Sequence, residues 1–224
     1  MKNDHLQSMV NESYVNETEK YESQDGHAIS KIEAEEWQSE ILCLKQFNGV
    51  QEVLDVGAGT GLLTRMLANL GYSVTGVDPS DDMLRQAMRN SPKDRYGKSV
   101  KFVQGDTHRS DIFQMASFDC IVSRQVVCHF HDPIAAFKNW YKWLKDNGVV
   151  VIVDGLWSRE GWGNDELVDK LPLSCVQTRA SVGYLLEKSG FRIIKNAMLG
   201  KTNEHLIKTG KSKSLRYVVV ALKA

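Results

Sequence analysis

What this chain lacks narrows its possibilities first. It has four cysteines and four prolines in 224 residues, and no C-x-x-C pair among Cys43, Cys120, Cys128 and Cys175. Widely spaced thiols suit a reduced, cytoplasmic chain better than a disulfide scaffold. A zinc site built from Cys120, Cys128, His129 and His131 would lack zinc-type spacing, so no metal is expected. No apolar run approaches the roughly 18 residues that cross a bilayer. The N-terminus has early acids and no apolar stretch, so a secretory signal is not expected. Charge of one sign is missing too: 28 Lys and Arg balance 28 Asp and Glu. That balance disfavours a nucleic-acid coat or a polybasic membrane binder.

What is present is ordinary for a globular chain, with 42% hydrophobic and 25% charged residues, close to the average for soluble domains. A chain of this length buries about 70% of its unfolded surface and needs no staple. The charge is nevertheless unevenly spread. Residues 1–40 hold ten acids and three bases, net −7, and residues 192–224 hold eight bases and one acid, net +7.

The first thirty residues are polar, acidic and aperiodic, which reads as a flexible segment or lid ahead of one domain over 31–224. From Lys31 to Phe47, Ile32, Trp37, Ile41, Leu44 and Phe47 form a helical stripe, with Ser30 and Glu33 spaced as a capping box. Apolar, β-branched runs then fall at 52–56, 73–77, 100–104, 118–123, 147–153, 191–195 and 215–222. Amphipathic segments separate the early runs, at 60–70 before Gly71 and at 133–146 after Asp132. Apolar strands alternating with helices predict an α/β, Rossmann-like, doubly wound, mostly parallel seven-stranded sheet. The last two runs are joined by polar residues with no helical pattern and predict an antiparallel pair closing the sheet edge, with an antiparallel last strand.

The sharpest local signal is VLDVGAGTG, residues 53–61. A strand runs to Asp55, glycines turn the chain without a Cβ, and a helix start offers free N–H groups to the crevice at the strand tip. The next strand ends in Asp78, followed by Pro79, and the third in Gly105-Asp106. A strand-tip acid suits ribose hydroxyls, and each such charged hydrogen bond is worth about 1.5–3 kcal/mol. The dinucleotide pattern G-x-G-x-x-G does not fit, because Leu62 stands at its third glycine. No Lys or Arg lies between Lys45 and Arg65 to meet phosphates, and Asp55 adds negative charge. The turn therefore suits a cationic nucleoside better than a pyrophosphate.

Taken together, VLDVGAGTG, GVDPSDDML, FVQGD, FDCIVSRQVVCHFHDP and KWLKDNGVVVIVDG resemble the ordered motifs of class I S-adenosylmethionine-dependent methyltransferases, over about residues 30–224. The resemblance implies S-adenosyl-L-methionine as cofactor, with S-adenosyl-L-homocysteine as product. It implies that Gly57, Ala58 and Gly59 pass beneath the methionine moiety while Asp55 faces its ammonium, directly or through water. Asp78 beside Pro79 would hold the ribose, Met83 would pack on adenine, and Asp106 between Gly105 and Thr107 would accept from the adenine amine. Ser123 and Arg124 would border the transferred methyl group.

In-line methyl transfer gains effective molarities of about 10⁵–10⁸ M from positioning, so a strong base is often unnecessary. His129 is the candidate base, with capping of its loop as the structural alternative. Among acceptor-side residues, Tyr21, His27 and Trp37 would fold over the site with Tyr14 as a lid. Trp157 and Trp162, in a Gly- and Trp-rich stretch after the fifth strand, would stack on a flat or cationic acceptor, or else pack the core. A small-molecule acceptor is the leading expectation. RNA methylation through Lys201, Lys208, Lys211, Lys213 and Arg216, a non-catalytic S-adenosylmethionine-binding protein, and a dehydrogenase are the rivals. No membrane partner is expected, and oligomeric state is not legible.

Overall fold

The computed structural model describes residues 2–14, 18–24, 26–92, 100–162 and 164–224. Helix α1 (Lys2–Glu12) leads to α2 (Lys31–Trp37), β1 (Glu52–Val56), α3 (Leu62–Asn69), β2 (Ser73–Asp78), α4 (Asp81–Asn90) and β3 (Val100–Gln104). β4 (Phe118–Arg124), α5 (Pro133–Trp143), β5 (Leu144–Gly155), α6 (Asp165–Lys170), α7 (Ala180–Lys188), β6 (Phe191–Met198), α8 (Gly200–Thr209) and β7 (Arg216–Lys223) follow. The sheet order is β3-β2-β1-β4-β5-β7-β6. Strands β1 to β5 pair in parallel, and β7 runs antiparallel to both β5 and β6. The strand order reverses between β1 and β4, which opens a crevice at their carboxyl ends.

Alternation along each strand builds two cores. Leu54, Val56, Ile121, Val150 and Ile152 pack on Phe137, Trp140 and Trp143 of α5 and on Val182 and Leu186 of α7. Val53, Val122, Val149 and Val151 face the other way, onto Trp37, Ile41, Leu63 and Leu67. Both faces are covered, so these strands read as continuous apolar runs.

Two expectations are corrected here. The chain between the last two strands contains helix α8. Its sequence is polar, but its first N–H groups, from Lys201 and Thr202, donate to the Glu36 carboxylate at 3.1 and 2.8 Å. That cap is supplied by α2, far away in the chain, so the local pattern could not reveal it. The last two strands form the expected antiparallel pair at the sheet edge, with β6 outermost and β7 between β5 and β6, its residues Arg216 to Ala221 buried. The predicted single helix over 31–47 divides into α2, a π turn over Gln38–Leu42 and a 3₁₀ turn over Lys45–Phe47.

A helix also forms at Lys2–Glu12, where no periodic pattern stands. It is held by tertiary contact, since Val10 packs with Leu167 and Leu171 beside Met9, Tyr14 and Trp162. Among the described residues, no helix is long and apolar enough to cross a membrane. All four cysteines are free, with Cys120 and Cys128 buried.

Candidate active site

The glycine bend sits at the tip of β1, where the strand order reverses. Gly57 and Ala58 donate their N–H groups to Val77 O at 2.8 and 3.1 Å, which ties the bend to β2. Gly57 adopts φ +69°, and a Cβ there would lie 2.3 Å from Val126 Cγ2. Only glycine fits that position. Beneath the bend, Asp55 is 1% exposed and accepts from Thr64 Oγ1 at 2.6 Å. Burial, with the Asp78 charge adding to it, pushes its carboxyl up to about 7.

Asp78 closes β2. Its Oδ2 accepts from Gly59 N at 2.9 Å and its Oδ1 from Ser80 N at 2.8 Å. Burial raises its pKa to about 6 despite these bonds. At the third tip, Asp106 Oδ1 accepts from the backbone N–H of His108 at 3.0 Å and lies 2.6 Å from His108 Nδ1. Burial acts to raise the Asp106 pKa, but the hydrogen bond and charge of His108 outweigh it and hold the carboxyl low. Asp106, His108 and His131 place ligand atoms within 4.8 Å of one another. The two rings, however, stack at 3.7 Å with an interplanar angle of 17°. His108 thereby clamps Asp106 through both its backbone N–H and its ring.

Two cavities meet at this edge. The first is lined by Gly57, Gly59, Asp78, Pro79, Met83, Gly105, Asp106 and Thr107, by Gln125 and Val126 beyond β4, and by Gln7, Val10 and Asn11 of α1. The second, a chamber of about 650 Å³, is lined by Tyr14, Tyr21, His27, His129, Trp157 and Trp162, with Glu12 and Asn164 among its polar groups. Val10, Tyr14, Tyr21, Gln125 and His129 belong to both walls. Between the cavities, Tyr14 Oη lies 2.8 Å from His129 Nε2, and Cys128 Sγ lies 3.3 Å from His129 Nδ1. Burial, and then the charge of His27, depress the His129 pKa to about 4. The ring is therefore neutral at neutral pH, and with its proton on Nδ1 it accepts the Tyr14 hydroxyl at Nε2.

The N-terminal segment is strapped across this edge by two carboxylates. Glu22 accepts from Thr60 Oγ1 at 2.7 Å, Arg65 Nη2 at 2.8 Å and Asn90 Nδ2 at 3.0 Å. Glu33 receives Arg124 Nε at 2.6 Å and Nη2 at 3.0 Å, while Arg124 Nη1 donates to His27 O at 3.0 Å. Gln125 Nε2 adds a bond to Gly26 O at 3.0 Å, from a backbone held at φ +58°. A left-handed non-glycine residue costs roughly 1–2 kcal/mol, and here it aims the side chain at the strap.

Eight of the twelve cofactor candidates thus line one cavity, and four do not. Asp55 bonds Thr64 under the bend. Ala58 is buried, and its Cβ would lie 2.8 Å from one built on Gly76. Ser123 is 0% exposed, and Arg124 is committed to Glu33. Gln125 and Val126, one step further along, take the wall instead. Of the acceptor-side candidates, Tyr21, His27 and Trp157 reach the chamber. Trp37 does not: it is fully buried against Val53 and Leu67, as its place in the helical stripe allows. In the conceivable zinc set, Cys120 lies in that same core cluster and His131 stacks on His108. The sequence reading missed Glu22 and Glu33. Glu33 carried a signal, since the box Ser30-x-x-Glu33 forms only halfway: Ser30 Oγ accepts from Glu33 N, while the carboxylate turns to Arg124.

Residues 54–152 match a family model described as a methyltransferase domain. Phosphoethanolamine N-methyltransferase 3 of Arabidopsis thaliana is 36% identical over 105 residues, covering 46% of this chain and 21% of that protein. Ubiquinone biosynthesis O-methyltransferase of Bradyrhizobium diazoefficiens is 33% identical over 104 residues, 46% of this chain and 40% of that protein. The chain spans about a fifth to a half of the length of such curated relatives. Among solved structures, Haemonchus contortus phosphoethanolamine N-methyltransferase 2 in complex with S-adenosyl-L-methionine superposes with a TM-score of 0.68 at 20% identity, over 97% of this chain and 60% of that one. Residues 54–152 thus match a methyltransferase domain, and the chain as a whole has the Rossmann-like fold of such solved structures.

Proposed function

We propose that the chain is an S-adenosylmethionine-dependent methyltransferase acting on a small-molecule acceptor. The observation that carries this reading is the meeting of two cavities at one wall, with strand-tip carboxylates on one side and aromatic rings on the other. The donor crevice suits the cofactor's parts. Gly59 leaves open space above the bend, where an added Cβ would meet only Gly57 O at 4.0 Å. Asp78 offers a carboxylate for a ribose, Met83 an apolar surface for a purine, and clamped Asp106 an acceptor for an exocyclic amine. When bound, the cofactor supplies an activated methyl group on sulfur.

The chain's own residues do the rest. The bend and the three tips fix the donor, which is the main source of rate in an in-line displacement. His129 and Tyr14 stand between the cavities as a neutral hydrogen-bonded pair, able to orient an acceptor and to take up a proton once it becomes acidic. Glu22, Glu33 and α1 hold the N-terminal segment over the edge and restrict water. Four free thiols fit a reducing cytoplasmic setting.

The test is calorimetry with S-adenosylhomocysteine and with NAD. The expected result is saturable binding of the homocysteine compound and none of NAD. Binding of NAD alone would replace this reading with a dehydrogenase.

A further inference from the structure

The acceptor chamber has a chemical character of its own. Its described lining residues include no Lys and no Arg, and Glu12 is the one carboxylate among them. The two buried guanidinium groups at this edge are engaged elsewhere. Arg124 is paired with Glu33, and Arg216 donates to Ser214 O at 2.8 Å and stacks 4.5 Å from the Trp157 ring. Six aromatic rings line the space: Tyr14, Tyr21, His27, His129, Trp157 and Trp162. Trp157 is fixed on two sides, because its Nε1 donates to the buried Asp154 Oδ1 at 2.6 Å while Arg216 covers the ring. Trp162 is anchored by its Nε1 bond to Ser174 O at 3.0 Å. Rings held in place by such bonds form a rigid wall.

A phosphate or carboxylate entering this chamber would shed its water and find no cationic side chain, and charged hydrogen bonds are what offset that loss. A cation meets the opposite situation, since ring faces attract it and the attraction grows as water is excluded. The volume of about 650 Å³ is that of a site for a metabolite- or drug-sized molecule.

We propose that the acceptor is an amine on an apolar or aromatic body, with no phosphate or carboxylate group. This inference rests on the methyltransferase reading. In the step, the lone pair of the neutral amine forms a bond to the methyl carbon as the carbon–sulfur bond breaks, and that bonding pair stays on sulfur. The sulfonium becomes a neutral thioether, and its positive charge passes to the nitrogen inside the ring of aromatic side chains. The surplus proton of the new ammonium then leaves to water. A phosphate acceptor would require the chamber to hold an anion before transfer, and its described lining offers no Lys or Arg to pair with it. The neutrality of His129 keeps that position from adding a cation.

The experiment uses two probes of similar size and opposite charge, benzyltrimethylammonium and phenyl phosphate. Each is titrated into the full chain while tryptophan fluorescence is followed, with and without saturating S-adenosylhomocysteine. The ammonium is expected to quench the fluorescence and to bind at least about tenfold more tightly than the phosphate, a difference of about 1.4 kcal/mol. Trp157→Leu should remove most of that preference while S-adenosylhomocysteine affinity, measured in the same protein, stays within about twofold and reports an intact fold. Trp157→Phe, which retains a ring, should keep most of it. Equal or tighter binding of phenyl phosphate, binding of neither probe, or a preference untouched by Trp157→Leu overturns the proposal. If S-adenosylhomocysteine itself fails to bind, the methyltransferase reading falls, and the probe comparison in its absence still judges the chamber.

Discussion

The two cavities are built in opposite ways. The donor crevice takes its main wall from consecutive strand tips between Val56 and Thr107, each made of a β-strand and the turn that follows it. The chamber gathers Tyr14 and Tyr21 from the N-terminal segment, His129 from beyond β4, and Trp157 and Trp162 from beyond β5. The first is assembled by local rules and the second by contacts across the molecule. The difference can be broken experimentally by attacking each half separately.

The largest expected effect lies in the strap. Glu33→Ala leaves the Arg124 guanidinium buried without its carboxylate, which costs about 3–5 kcal/mol. At 2–4 °C per kcal/mol for a chain of this size, Tm should fall by roughly 6–20 °C. A fall of less than about 3 °C would mean that the pair does not anchor the segment.

Next comes the donor half. Asp78→Asn removes the charge offered to the ribose and should weaken S-adenosylhomocysteine by about 2–3 kcal/mol, roughly 30- to 150-fold. Unchanged affinity by calorimetry would refute the role given to that strand tip. By contrast, His129→Ala should weaken this affinity far less than Asp78→Asn while turnover of an identified acceptor drops, since the neutral ring lines both cavities but offers the cofactor no charge. A parallel loss of cofactor binding would erase the proposed division between the halves.

A smaller effect concerns protons. Asp55 is raised to about 7 against an ordinary 3.8. A carboxyl whose folded pKa exceeds its unfolded one contributes stability that is complete below the unfolded value and is lost as pH rises through the folded value. His129, depressed to about 4, acts in the opposite sense, its contribution fading as pH falls below about 6.5. The clean readout is therefore the Tm gap between Asp55→Asn and wild type, which should widen in the variant's favour between pH 5 and pH 8. A gap that stays constant would mean that Asp55 ionises normally. Smallest of all, Trp37→Phe should cost about 1 kcal/mol or less, because among the described residues the buried Trp37 Nε1 has no hydrogen-bond partner to lose. It should leave both cavities unaffected, and a change in ligand affinity would return Trp37 to the site.

The same contrast explains what could be read from the chain. Each strand, and the Gly57, Asp78 and Asp106 positions at three tips, follow from period-two burial and turn chemistry, both of which leave marks within a few residues. Helix α8 escaped because its cap is Glu36, which lies far away in the chain. Trp37 was ambiguous in principle, since one stripe position serves equally as core or lid until the packing is known. Ser123 and Arg124 missed the cavity by a step or two: Gln125 takes a left-handed turn that a sequence does not announce. Helix α1 has only Leu6, Met9 and Val10 as apolar residues, too few to register as an amphipathic pattern, and its partner surface lies on α6 and the loop before it.

A crystal structure with S-adenosylhomocysteine tests the central claim most directly. The account predicts density along the Gly57–Gly59 bend, with the ribose at Asp78, the purine between Met83 and Asp106, and the sulfur directed toward His129 and the chamber. Density confined to the aromatic chamber, or a crevice closed by Val126 and α1 at saturating ligand, would contradict it.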